Sequence, residues 1–137
     1  MNILISGCGR IGAQIASKLA ESSNDHEITI IDADPQSFLL LPQELRFKDG
    51  FTFVGDGASD KDLKTAGIEK ADVFIAVAVR DNRNALSAQK AKHIYRVSKV
   101  VCRVGDPTKQ SMYKTLGLNA MSPTLSTATQ ILEAVSL

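Results

Sequence analysis

Two cysteines, Cys8 and Cys102, are all that the 137-residue sequence holds, and neither stands in a CxxC or other metal-ligand spacing. A disulfide framework is therefore not expected, and a reduced, cytoplasmic setting is. An excess of one charge is lacking too. The formal net charge is +1, which gives no electrostatic footprint for nucleic acid or an anionic membrane surface. No apolar run approaches the ~20 residues of a membrane span, so direct membrane insertion is not expected. Met1 leads straight into a strand-like segment, so a secretory leader is not expected. Internal repeats, low-complexity tracts and linkers are missing. No Ser/His/Asp set, metal-ligand cluster or acid–base pair with an orienting third group can be assembled.

What is present is the composition of an average soluble globular domain, 44% hydrophobic and 23% charged, in a chain long enough to bury a core unaided. It is organised around its first thirty residues. An apolar run, Ile3-Leu4-Ile5, meets Gly7-Cys8-Gly9-Arg10-Ile11-Gly12; Ile11, Ile15, Ala16, Leu19 and Ala20 then recur at helical spacing, and Glu27 to Ile31 ends on Asp32. Strand, glycine turn, helix, strand and acid follow in the order of a dinucleotide-binding unit. Gly7 permits the tight turn, Gly9 admits phosphates to the backbone, and Gly12 lets the helix pack closely on the strand. The helix start offers free N–H groups to an anion. Asp32 lies about twenty residues beyond the last glycine, the offset at which a carboxylate accepts from ribose hydroxyls.

Strand and helix patterns then alternate. Asp34-Pro35 opens a short or bent helix interrupted by Pro42, Phe51 to Val54 reads as a third strand, and Ser59 or Asp60 caps a helix that stops at Gly67. Asp72 to Val79 is apolar almost without alternation, the mark of a strand buried on both faces. A helix over 81–96, a strand over 99–104, a helix opened by Asp106-Pro107 and a short sixth strand at Ala120-Met121 follow. The alternation predicts an α/β fold with a doubly wound parallel sheet of about six strands, a Rossmann fold. Residues 1–123 complete it; over 124–137, Leu125, Ala128, Leu132 and Val135 form one more helix with an apolar stripe to spare.

In such a sheet, ligands bind beyond the carboxyl ends of the strands. Arg10 there is either a phosphate partner or an exposed first-turn arginine. Asp32 and Asp34 disfavour the 2′-phosphate of NADP, although capping the next helix explains Asp34 equally well. Asp56, in Gly55-Asp56-Gly57, either borders an adenine ring or shapes a plain turn. Arg103, set in an apolar run, requires a partner, either a ligand phosphate or a carboxylate of this or a second chain. Cys8 precedes a helix N terminus, the setting that lowers a thiol pKa, but occupies a freely variable position of the glycine motif. His93 reads as a surface or packing residue.

These segments, with Asp81-Asn82-Arg83-Asn84, Arg103-Val104-Gly105-Asp106-Pro107 and Leu116-Gly117-Leu118-Asn119-Ala120-Met121-Ser122-Pro123-Thr124, resemble the successive landmarks of the TrkA-N domain. This is the N-terminal half of RCK (regulator of conductance of potassium) domains. The resemblance covers the whole chain in order. It implies a cytoplasmic regulatory subunit of a Trk- or Ktr-type potassium uptake system, peripheral at the inner face of the membrane through a channel subunit. It implies non-catalytic binding of NAD(H) or an adenine nucleotide (ATP, ADP or AMP), and a homo-oligomer. With the readings above, the nucleotide site is expected at Gly7, Gly9, Arg10, Ile11, Gly12, Asp32, Asp34, Asp56, Ala58, Val77 and Arg103, with Val77 below the adenine side and Arg103 near the phosphates. The helix from Thr124 resembles the family's crossover helix, which packs on a neighbouring subunit.

Two positions depart from the family pattern. Ala78 replaces a threonine often found after the fourth strand, and Thr124 replaces a glutamate that in some members helps hold a divalent cation. The family's C-terminal ligand-binding domain is not in the sequence, which is read as a one-domain member or a fragment. The alternative is the cofactor domain of an NAD-dependent oxidoreductase, which uses the same glycines and acid. It lacks a second domain and a fitting His or Lys.

Overall fold

Strand β1, Asn2–Ser6, is buried from Ile3 to Ser6, and its alternation sends Ile3 and Ile5 to one side of a sheet and Leu4 to the other. A computed structural model describes residues 1–136. In it β1 pairs in parallel with β2, Glu27–Asp32, on one edge and with β4, Val73–Ala76, on the other. β3, Thr52–Val54, continues outward from β2, while β5, Lys99–Arg103, and β6, Ala120–Met121, continue from β4. The order is β3-β2-β1-β4-β5-β6, all parallel. The chain reverses direction across the sheet between β1 and β4, so the connections after these strands diverge and leave a crevice.

Each face of the sheet has its own core. On one, α1 (Arg10–Ser22) supplies Ala13 and Ala16, and a tight helical turn over Pro35–Leu40 supplies Phe38; both pack on Ile3, Ile5, Ile28 and Ile30. On the other, α3 (Asp60–Thr65) supplies Leu63 and α4 (Asp81–Gln89) supplies Ala85 and Ala88, against Leu4, Ile31, Phe74 and Cys102. The short α2, Gln43–Arg46, follows Pro42. The bent element expected after Asp34 is these two pieces.

Two elements differ from expectation. The apolar run over 72–79 pairs only from Val73 to Ala76; Phe74 and Ala76 are fully buried while Val73 and Ile75 are half-buried. Beyond it the chain leaves the sheet for the crevice, and Val79 is 82% exposed. The helix expected over 81–96 gives way after Gln89 to a wider π-helical turn, Lys90–Ile94, where the Tyr95 N–H donates to Lys90 O at 3.0 Å. Arg96 then turns left-handed at φ 57°.

α5, Pro107–Thr115, leads into β6, and α6, Pro123–Ala134, begins one residue before the boundary expected at 124. Ser122 caps α6 through Leu125 N, and none of its residues is buried. Leu137, the last residue of the expected helix, lies outside the described residues.

Candidate functional site

At the reversal between β1 and β4 the strand ends open into a cavity of about 490 Å³, within the range of roughly 300–1,000 Å³ that holds small molecules. Its wall begins with the glycine turn. Gly7 has φ +110°, and a Cβ there would stand 2.6 Å from Ala78 N, so the turn passes directly over the chain leaving β4. A Cβ on Gly12 would lie 2.0 Å from Gly7 O, which is what allows the first turn of α1 to sit on the loop that precedes it. At Gly9 an added Cβ would meet nothing within 4 Å. Its missing side chain therefore serves open space at the cavity rather than packing. Gly9 is also the N-cap of α1 and brings no capping side chain, so the first N–H groups of the helix stay available to an anion.

Asp32 forms the opposite side. One carboxylate oxygen accepts from Cys8 N at 2.8 Å and the other from Asp34 N at 2.9 Å. These bonds fix its orientation and leave lone pairs for further donors, as a pair of ribose hydroxyls would require. The next wall is the turn after β3. Asp56 accepts from Ala58 N at 2.9 Å, its own N–H donates to Asp62 at 2.8 Å, and Ser6 at the end of β1 reaches Gly57 O at 3.4 Å. The Ala58 N–H foremost, and the Arg83 guanidinium after it, hold the Asp56 carboxyl below the usual carboxylate range.

Six of the residues singled out from sequence, Gly7, Gly9, Asp32, Asp56, Ala58 and Val77, converge on this cavity. Val77 lines the cavity beside the glycine turn, its Cγ2 3.3 Å from the position of a Gly12 Cβ. Arg10, Ile11, Gly12, Asp34 and Arg103 do not line it. Arg10 and Ile11 are exposed, and Gly12 is buried under the turn. Asp34 caps the following turn through Gln36 N at 3.0 Å. Arg103 donates from Nη1 to Ala78 O at 3.0 Å, and its Nε is buried with no hydrogen-bond partner among the described residues.

The cations that do line the cavity are Arg80 and Arg83, where β4 hands over to α4. Arg83 pairs with Asp56 across the opening. Asn84, 1% exposed, is the buried hinge of this corner and bonds to both Ala78 and Arg103. Both arginines stand one loop beyond the carboxyl end of a central strand, the position that marks ligand contacts in doubly wound sheets; that was the available signal. Cys8 is fully buried, and its thiol is pushed up to about 11, first by burial and then by the Asp32 carboxylate. The lowering expected of a helix N terminus is overruled.

Residues 3–123 match the family model of the TrkA-N domain. The Trk system potassium uptake protein TrkA of Streptomyces coelicolor is 36% identical over 132 residues, which are 96% of this chain and 57% of that relative. The chain thus spans little more than half the relative's length. Among solved structures, the TrkA-N domain of inner membrane protein ybaL from Escherichia coli shares the fold at a TM-score of 0.81 with 19% identity, over 97% of this chain and 95% of that one. The Kef C-terminal domain of Shewanella denitrificans in AMP-bound form shares it at 0.74 with 23% identity, over 99% and 80% respectively. With its glycine turn, carboxylate and crevice arranged as described, this chain belongs to the TrkA-N domain family.

Proposed function

We propose that this chain is the nucleotide-binding regulatory domain of a Trk- or Ktr-type potassium uptake system, and that an adenine nucleotide or NAD(H) in the cavity acts as a signal. The observation that carries this reading is the joint placement of an uncapped helix start at Gly9 and an oriented carboxylate at Asp32 on one cavity. Phosphates are held by the first and a ribose by the second. The ionisable side chains around them are Asp32, Asp56, Arg80 and Arg83, groups suited to holding a charged nucleotide. That supports binding without chemistry on it. The relative's potassium-uptake name and the AMP-bound state of the Kef domain support the same ligand class and setting.

In this reading α6 packs on a second copy of the chain, and the assembly docks on a membrane potassium channel subunit. Ligands shift the assembly only through differential affinity for two arrangements, and a coupling of about 1–3 kcal/mol per site suffices. The test is calorimetric titration of the purified chain with ATP, ADP, AMP, NAD+ and NADH, with light scattering on each sample. Binding that redistributes the assembly is expected. Asp32→Ala is expected to lower affinity for every adenosine ligand by about tenfold or more. Equal affinity in that variant would remove Asp32 from the site, and an assembly indifferent to ligand would remove the gating role.

A further inference from the structure

Arg83 begins on the first turn of α4, which follows β4, and ends on Asp56, in the turn that follows β3. In the sheet β3 and β4 are separated by β2 and β1. The ion pair therefore spans the cavity from one half of the doubly wound sheet to the other. Both partners line the cavity, and both side chains are 46% exposed. An ion pair so open to water holds weakly, because solvent competes for each partner.

The two partners are unequally committed. The Asp56 oxygen that takes Arg83 also accepts the Ala58 N–H at 2.9 Å, and that amide is the first cause of the carboxyl's lowered pKa. Asp56 therefore keeps its charge stabilised when the guanidinium leaves. Among the described residues the Arg83 guanidinium has this hydrogen bond and ion pair and no other. A di- or triphosphate offers a guanidinium more charge than a carboxylate does, with the same two-pronged hydrogen bonding. Arg80 stands beside it with no ion-pair partner among the described residues. Arg10 and Arg103, the cations expected to meet phosphates, lie off the cavity wall.

Resting on the nucleotide reading above, we propose that Arg83 is an exchangeable clasp: it ties the β3 turn to α4 when the cavity holds no phosphate chain, and passes to the phosphates of an entering nucleotide. Affinity then rises with the number of phosphates. Binding also unties the two halves of the sheet at this point, which gives a polyphosphate a mechanical effect that a nucleoside lacks.

The experiment is calorimetric titration of the whole chain with adenosine, AMP, ADP and ATP, for the unaltered protein, Arg83→Gln and Asp56→Asn. Asparagine keeps an oxygen for the Ala58 N–H but drops the charge that holds Arg83. The unaltered protein is expected to bind more tightly as phosphates are added. Arg83→Gln is expected to weaken ATP by about tenfold and leave adenosine unchanged, flattening the series. Asp56→Asn, freeing Arg83, is expected to raise the affinity for ATP relative to adenosine by about threefold.

An unaltered phosphate dependence in Arg83→Gln overturns the clasp while leaving the nucleotide reading in place. So does a loss of all four ligands in Asp56→Asn, which would make Asp56 a direct ligand contact. If the unaltered protein binds none of the four, the nucleotide reading falls and the clasp falls with it.

Discussion

Asn84 and Ala78 are bonded twice: Asn84 Oδ1 accepts from Ala78 N at 2.9 Å, and Asn84 Nδ2 donates to Ala78 O at 2.8 Å. A third bond runs from Nδ2 to Arg103 O at 3.0 Å. One buried amide thus stands in for sheet pairing where β4 ends, satisfying backbone groups that β1 and β5 no longer reach. It also fixes Ala78 beneath Gly7, whose missing Cβ makes room for it.

Asn84→Ala removes all three bonds; Ala78 O keeps the Arg103 Nη1 donor, while the part-buried Ala78 N and Arg103 O lose their Asn84 partner, at roughly 1–3 kcal/mol each before relaxation and water entry. A net loss of about 2–4 kcal/mol in chemical denaturation is expected. A loss under about 0.5 kcal/mol would show that the corner is held by other means.

Gly9 and Gly12 belong to one motif and make opposite predictions. Gly12→Ala drives a methyl to 2.0 Å from Gly7 O, a backbone carbonyl that cannot swing aside as a side chain would. Destabilisation of about 3 kcal/mol or more is expected, visible in the melting curve without any ligand. Gly9→Ala meets nothing within 4 Å and should change stability by less than about 1 kcal/mol. It should nevertheless lower nucleotide affinity by about tenfold or more, since the new methyl occupies the space where phosphates approach the helix start. A Gly9→Ala protein that is folded and binds normally would move the phosphates elsewhere.

Asp56 supplies a prediction for acid solution. Its carboxyl is held below the ordinary value in the fold, so it favours the folded state above that ordinary value, near 4. The contribution is lost as pH falls through the folded pKa. Because the Ala58 N–H is the largest single cause and stays in place, Arg83→Gln should raise the Asp56 midpoint only part of the way back. Carbon-13 titration of the side-chain carboxyl reads this directly. Complete return to the ordinary value would make Arg83 the principal support.

The parts legible in the sequence are those whose cause is local. Ile3-Leu4-Ile5, the glycine turn, the helical recurrence after Ile11 and the acid at Asp32 each depend on neighbours within a turn or a strand, and together they specify a Rossmann unit. The caps at Asp34, Ser59 and Asp106 form as residue type and position suggest. The parts that were not legible depend on contacts across the fold. Arg83 meets Asp56 from 27 residues away because β4 and β3 end on the same rim, and nothing in either segment announces the other. The apolar run over 72–79 looks like a single strand, but pairing stops at Ala76, where Asn84 takes over the backbone of Ala78. Arg103 likewise meets Ala78 O from 25 residues away, a contact that exists only because β4 and β5 end side by side.

The last helix carries the remaining prediction. α6 is twelve residues long, and none of them is buried. A helix of that length is marginal by itself and is ordinarily held by packing of an apolar face. Leu125, Ile131, Leu132 and Val135 are between 45% and 59% exposed, a stripe that monomers seldom leave to water. A second copy of the chain covering it is the expected arrangement, with a dimer or larger assembly in light scattering. Replacing Ile131 and Leu132 together by glutamate should reduce that mass. It should leave the core intact, since neither side chain enters it, with a direct effect on the isolated fold within about 0.5 kcal/mol per site. An unaltered protein that stays monomeric at high concentration, or a double variant of undiminished mass, would assign the stripe to something other than self-association.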